Sequence, residues 1–246
     1  MINESNSAAQ VGENFWIANP LDYTEITSAI TSKVTHPIIV EIVNDLKPYY
    51  FLDFGCGDGR MAEMLDPTIP ISIYDISQEM LAQAKQRLNG RIERSYEFLD
   101  EIPNNHFDVV VCSMVLLCID NIEEFTSAMK KMCTALNKNG KLIILNTHPC
   151  FMQSKFSVSF TSYSKGKPFF YFNEGDPYDI TIQDFDKKKQ VTFEDYHWTL
   201  SFIINKMIEV GLKIESMIET SDDLTMKNHN AQHSPCVILT ASKNEK

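Results

Sequence analysis

The stretch Phe51-Leu52-Asp53-Phe54-Gly55-Cys56-Gly57-Asp58-Gly59-Arg60 decides how this chain is read. The apolar run Tyr49–Phe54 enters three glycines within five residues, in a chain with only nine glycines. A short apolar run that ends this way is a buried strand leading into a turn, and Arg60–Leu65 then opens a helix. Glycines at such a junction permit a tight turn and let the backbone approach a ligand closely. Asp75 ends the next apolar run, Ile69–Tyr74, 20 residues beyond Gly55. A carboxylate at the tip of a second strand accepts hydrogen bonds from both ribose hydroxyls of an adenosine moiety. Together the two signals point to a cofactor that contains a nucleoside.

The same rhythm extends outward. Ser77 is placed as an N-cap, followed by Glu79 and the helical run Met80–Leu88. Arg91–Phe98 reads as a third strand and Phe107–Met114 as a fourth. Ile122–Leu136 reads as a helix with Asn139-Gly140 as its stop signal, and Lys141–Thr147 as a fifth strand. Strands alternating with helices predict βαβ units, hence an α/β fold with a doubly wound, mostly parallel sheet. Upstream, Leu21–Leu46 reads mostly helical with a break near Pro37. After Pro149 the alternation stops. Residues 151–198 are rich in aromatics, with alternating stretches at Phe169–Asn173 and Ile180–Phe185 and a basic turn at Lys187–Lys189. A helix, Leu200–Val210, halts at Gly211, and Leu212–Glu219 and Cys236–Ala241 read as a closing strand pair. The expected units are a helical lid (1–48), a cofactor-binding core (49–150), a substrate cap (151–198) and a segment completing the core (199–246).

Composition narrows the classes. The 246 residues carry a net charge of −11, which repels phosphate backbones and disfavours nucleic acid as a partner. The longest apolar run, Val109–Ile119, is too short for a bilayer span of about 18 residues. The start of the chain shows no basic region or apolar stretch of a secretory signal. The six cysteines form no C-x-x-C pair and are expected as free thiols in a reducing cytoplasm. His229 and His233 lie among loop residues without partner ligands, so no metal is expected. Oligomeric state is not legible.

The glycine spacing separates two cofactor classes. Dinucleotide sites use G-x-G-x-x-G, whereas this turn reads G-x-G-x-G with Arg60 next. Asp53 and Asp58 would repel a pyrophosphate but suit a cofactor bearing an ammonium and a sulfonium, as S-adenosylmethionine does. A nicotinamide-dependent oxidoreductase is thereby disfavoured.

With these residues in view, the chain resembles a class I S-adenosylmethionine-dependent methyltransferase of the small-molecule, type 11-like kind. Asp53–Gly59 matches that family's first motif and Ile73–Ser77 its second. Phe107–Ser113 matches the fourth-strand motif and Leu136–Leu142 the turn before the fifth strand. His197–Glu219 is similar to the family's C-terminal end. The resemblance implies a Rossmann-like, seven-stranded sheet with an antiparallel last strand and an aromatic-rich cap inserted after strand 5. It implies that Asp53 faces the cofactor ammonium, that Gly55, Cys56 and Gly57 pack on methionine and ribose, and that Ile76 and Met80 flank adenine. Ser113 and Met114 would line the methionine end, with Tyr23 as a lid residue. Where the family often places an acid for the adenine amino group, this chain has Phe98, with Glu97 one residue earlier.

The implied reaction is in-line displacement of a methyl group onto an oxygen or nitrogen of a small, aromatic or apolar metabolite, leaving S-adenosylhomocysteine. His148, directly after the fifth strand, and His197, closing the aromatic segment, are the candidate general bases. Trp16, Tyr163, Tyr171, Tyr178 and Trp198 are the candidate acceptor contacts. Each has a plainer reading: the histidines bonded to loop backbone, the rings, Met80 and Ser113 as packing. The other functions weighed are a nucleic-acid or protein methyltransferase and a non-catalytic S-adenosylmethionine-binding protein. The first lacks a basic stripe and an Asn-Pro-Pro-Tyr-like tetrapeptide after strand 4, where Cys112-Ser113-Met114-Val115 stands.

Overall fold

The computed structural model describes residues 31–152, 159–162, 168–183, 190–221 and 233–244. A π-helical turn, Thr31–Thr35, leads into α1 (His36–Leu46), which has Pro37 in its first turn, where proline's missing N–H costs nothing. Then follow β1 (Phe51–Phe54), α2 (Arg60–Glu63), β2 (Ile71–Tyr74), α3 (Gln78–Arg87), β3 (Ile92–Tyr96) and β4 (Phe107–Ser113). After them come α4 (Ile122–Ala135), β5 (Leu136–Thr147), β6 (Ser159–Ser162), β7 (Asp176–Gln183), β8 (Gln190–His197), α5 (Leu200–Glu209), β9 (Leu212–Glu219) and β10 (Cys236–Lys243). The main sheet has seven strands in the order β3-β2-β1-β4-β5-β10-β9. Its first five strands are parallel, and β10 runs antiparallel between β5 and β9. The strand order steps outward from β1 in both directions, which leaves a crevice beyond the carboxyl ends of β1 and β4.

Both faces of the central strands are covered, which is why they read as near-continuous apolar runs. Leu52, Phe54, Val110, Cys112, Leu142 and Ile144 face α4 and α5, together with Phe125, Met129, Ile203 and Met207. Phe51, Ile71, Ile73, Val109, Val111 and Leu145 pack on the other side with Ile39, Val43, Leu81 and Ala84 of α1 and α3. The entry of β1 is fixed by Asp108, whose Oδ2 accepts the backbone N–H of Tyr49 (2.8 Å) and Tyr50 (2.9 Å). Ser77 caps α3 as the sequence predicts, its Oγ accepting from the Met80 N–H at 3.3 Å.

Two elements differ from the sequence reading. α4 stops at Ala135, and Asn139-Gly140 lies inside β5 rather than at a helix end. Pairing jumps there from Phe107↔Leu136 to Val109↔Lys141, so the extra residues form a bulge. A Cβ on Gly140 would sit 2.8 Å from the Phe107 carbonyl oxygen, so the glycine serves strand contact. Second, Phe169–Asn173 carries no strand. The aromatic segment instead forms a three-stranded antiparallel sheet, β6-β7-β8, over a small core of Met152, Tyr178, Ile180 and Phe193. Lys187–Lys189 and His229 lie outside the described residues. The six cysteines are free thiols.

Candidate active site

The glycine turn is closed on β2, since the N–H groups of Gly55 and Cys56 both donate to the Tyr74 carbonyl, at 2.7 and 2.9 Å. Gly55 has φ +73°, and a Cβ there would lie 2.3 Å from Val115 Cγ2. Gly57 has φ +53°, and a Cβ there would meet nothing within 4 Å. One glycine is therefore required by packing, while the other opens onto free space.

Asp75 is held by the backbone around it. Its Oδ2 accepts the Gly57 N–H at 2.8 Å and its Oδ1 the Ser77 N–H at 2.9 Å. Each oxygen keeps acceptor capacity for a further donor, and the pair of bonds fixes the plane of the carboxylate. Burial raises its pKa against the pull of those bonds. Asp53, 2% exposed, is pushed up to about 8, first by burial and then by Asp75 and Asp58. Asp58 departs from the sequence reading. Its Oδ2 lies 2.8 Å from Arg60 Nε and 2.9 Å from Arg87 Nη2, so its charge is shared with two arginines that line the cavity beside it.

A cavity of about 870 Å³ opens beside this turn. Asp53, Gly55, Cys56, Gly57, Asp75, Ile76, Met80, Ser113 and Met114 all line it. Glu97 and Phe98 are not among its lining residues. Their N–H groups bond Glu101 Oε2, the Glu97 carboxylate accepts from Gln78 Nε2, and the next residue, Leu99, reaches the cavity instead.

Neither candidate histidine is brought to the cavity. His148 is buried with Nε2 2.8 Å from Glu219 Oε1 and Nδ1 accepting the Cys150 N–H at 3.3 Å. Both ring nitrogens are engaged because β10, paired with the end of β5 on one side, brings the end of β9 and its Glu219 alongside on the other. His197 places Nε2 2.8 Å from the Tyr171 carbonyl oxygen, and burial lowers its pKa. Among the candidate acceptor contacts, Trp198 is a core residue that donates from Nε1 to the Ile119 carbonyl at 3.1 Å and stacks on Phe202. Tyr178 belongs to the small sheet's core, and Tyr171 Oη accepts the Leu200 N–H at 3.2 Å. Trp16, Tyr23 and Tyr163 lie outside the described residues.

His36, by contrast, lines the cavity. Burial lowers its pKa to about 4, with Asp58 opposing and Arg60 reinforcing the shift, so the imidazole is neutral near pH 7. The signal that marks it is His36-Pro37: a proline in the first turn fixes where a helix begins, and this helix begins at the cavity.

These features fit a nucleoside cofactor with a cationic end. Asp75 is preset for a diol, the Gly57 position leaves room for a ligand against the backbone, and Asp53 is a buried acid awaiting a counter-charge. The comparisons agree. A family described as a methyltransferase domain matches residues 52–142. An uncharacterized protein of Haemophilus influenzae is 27% identical over 246 aligned residues, covering 93% of this chain and 92% of its own. An S-adenosylmethionine-dependent methyltransferase of Clostridium acetobutylicum superposes with a TM-score of 0.63 at 15% identity, covering 95% of this chain and 98% of its own. The 1,6-didemethyltoxoflavin-N1-methyltransferase of Burkholderia thailandensis gives 0.61 at 14% identity, covering 99% and 94%. Residues 52–142 thus match a methyltransferase domain, and the whole chain shares the Rossmann-like fold of S-adenosylmethionine-dependent methyltransferases.

Proposed function

We propose that the chain transfers the methyl group of S-adenosylmethionine to an oxygen or nitrogen of a small aromatic or apolar metabolite in the cytoplasm. The observation that carries this is Asp75, locked by Gly57 and Ser77 beside an open glycine turn. A cavity of about 870 Å³ falls in the range of small-molecule sites, roughly 300–1,000 Å³. The net charge of −11 argues against a nucleic-acid acceptor. The Burkholderia thailandensis relative was solved with 1,6-didemethyltoxoflavin and S-adenosylhomocysteine bound, which supports a small acceptor here. Residues 1–48 would serve as a lid and 151–198 as a cap.

The bound cofactor supplies an electrophilic methyl on a sulfonium. The chain's residues supply placement: Asp75 takes the ribose diol, Asp53 the ammonium, and Ile76 and Met80 flank the adenine. Holding two reactants in line is worth about 7–11 kcal/mol in favourable cases, so no catalytic triad is required. His36, neutral near pH 7 and on the cavity, accepts a hydrogen bond from the acceptor's O–H or N–H. That role passes to it from His148, whose two ring nitrogens are bonded elsewhere, and from His197, whose Nε2 meets the Tyr171 carbonyl oxygen and which does not line the cavity.

The test is incubation with isotope-labelled S-adenosylmethionine and a metabolite extract, with mass spectrometry to find the labelled product. A product lost in Asp75→Ala supports the reading. Binding without any transfer would turn it toward a non-catalytic binder. With the acceptor known, His36→Leu should slow turnover by roughly 10²-fold at unchanged cofactor affinity; full turnover would remove His36 from the reaction.

A further inference from the structure

Residues 114–120 form one wall of the cavity, with Met114, Val115, Cys118, Ile119 and Asp120 lining it. Met114 sits at φ +58°, a conformation that side chains other than glycine hold only where the surroundings fix it. Val115 fills the space above Gly55, so this wall is packed directly on the cofactor turn.

The aromatic segment grips that wall at three points. Trp198 Nε1 donates to the Ile119 carbonyl at 3.1 Å. Gly175 lies so close under the Asp120 carbonyl that a Cβ would come within 3.3 Å of its oxygen. Cys118 Sγ, 3.5 Å from the Met114 carbonyl oxygen, is 3.9 Å from Oδ1 of Asp195 on β8.

Asp195 is the unusual member. It is 1% exposed, and its surroundings are the Cys118 thiol, the Tyr178 hydroxyl from β7 and Glu194 beside it, with no cation acting on it among the described residues. Tyr178 Oη is in turn 3.5 Å from Thr147 Oγ1 at the end of β5. Burial drives the Asp195 carboxyl well above the usual carboxylate range. A buried carboxyl without a cation is a poor source of stability, and an apolar side chain of similar size often packs at no loss. Its place behind the cavity wall suggests another use.

We propose that Asp195 is a positioning residue for methyl transfer. Acting through Cys118, it fixes the 114–120 wall over the glycine turn and so couples the three-stranded sheet to the cofactor site. The proposal rests on the reading of the cavity as that site. It requires the carboxyl's hydrogen-bonding shape more than its charge, so an amide should serve in its place.

The experiment compares wild type, Asp195→Asn and Asp195→Leu by three readouts: calorimetric affinity for S-adenosylmethionine, the alkylation rate of Cys118 by iodoacetamide mapped by mass spectrometry, and Tm. The leucine variant should weaken affinity about three- to thirtyfold, the range for residues that couple elements. It should also alkylate faster at Cys118 without losing Tm, and the asparagine variant should stay near wild type in affinity and alkylation. A purely structural Asp195 would instead lower Tm and leave the affinity of the folded fraction unchanged, which overturns the proposal. Cys118 alkylation needs no cofactor: a wild type that binds none overturns the site reading, and the proposal's link to it, even if alkylation responds. Normal wild-type binding with no change in the leucine variant overturns the proposal alone. Should that variant fail to fold, Tyr178→Phe removes one partner of the same carboxyl; weaker affinity and faster alkylation support the link, and unchanged values overturn it.

Discussion

Asp53 carries more information than its position in the motif. Held at a pKa of about 8 by burial, Asp75 and Asp58, it keeps its proton at pH 7. A cation placed beside it favours the ionised form, so binding S-adenosylmethionine should expel up to about one proton at Asp53. Affinity should then rise between pH 6 and 8, approaching tenfold per unit, and the calorimetric enthalpy should change with buffer ionisation enthalpy. Asp53→Asn should remove both effects. An affinity that is flat over that range would place the cofactor's charge elsewhere. Asp75→Ala, which takes away charge-assisted bonds to the diol, should cost about 2–3 kcal/mol of binding, read by the same titration. These residues were legible because a left-handed turn and a carboxylate at a strand tip are local demands on sequence. The pairing of Asp58 with Arg87 was not legible because Arg87 lies a helix away. His36 was missed because only the packing of α1 brings it to the cavity.

At the level of elements, two glycines of one turn answer to different masters, and substitution should separate them. A methyl group at Gly55 collides with Val115, and the positive φ adds strain. Gly55→Ala should therefore destabilise the fold by about 2–4 kcal/mol, measured by chemical denaturation. Gly57→Val meets no protein atom within 4 Å, so it should lose about 1–2 kcal/mol from backbone strain but abolish cofactor binding. If Gly57→Val binds normally, the turn does not approach the cofactor. The strands and helices around this turn were legible because burial on both faces leaves apolar runs of characteristic length. Asn139-Gly140 misled because a bulge and a helix stop ask for the same residues. What distinguishes them is the strand beside them, here Phe107 on β4, and pairing is not a property of a local window. The aromatic segment was legible as a layer but not in register, since rings serve equally in a turn and on a sheet face.

For the whole molecule, the buried acids and histidines set opposite slopes of stability against pH. The pKa of His36 is lowered to about 4 and that of His197 is lowered. The unfolded chain protonates these histidines first as pH falls, so the His36 contribution to stability grows from about pH 4 to 6.5, that of His197 grows from its own lowered pKa upward, and above 6.5 both are complete. Asp53, at about 8, and Asp195, well above the ordinary range, have the opposite sign. The unfolded chain ionises these acids near pH 4 while the fold keeps them protonated, so each lowers stability as pH rises toward its folded pKa. Above pH 6.5 the histidines are silent and the acids act alone, each with a slope of about 1.4 kcal/mol per unit until its own pKa is passed. A net charge of −11 adds self-repulsion in the same direction, and that part alone is screened by salt. The cofactor-free protein should therefore lose Tm between pH 6.5 and 8, even in 0.5 M salt. S-adenosylmethionine should reduce the loss, because its ammonium gives the Asp53 charge a partner, whereas the Asp195 share should persist. Asp53→Asn should make the cofactor-free profile shallower, leaving the Asp195 share, and make it insensitive to this pH-dependent part of the cofactor effect. A Tm that rises from pH 6.5 to 8 would mean that the buried acids are ionised in the fold, and the proton coupling argued for Asp53 would fall with it.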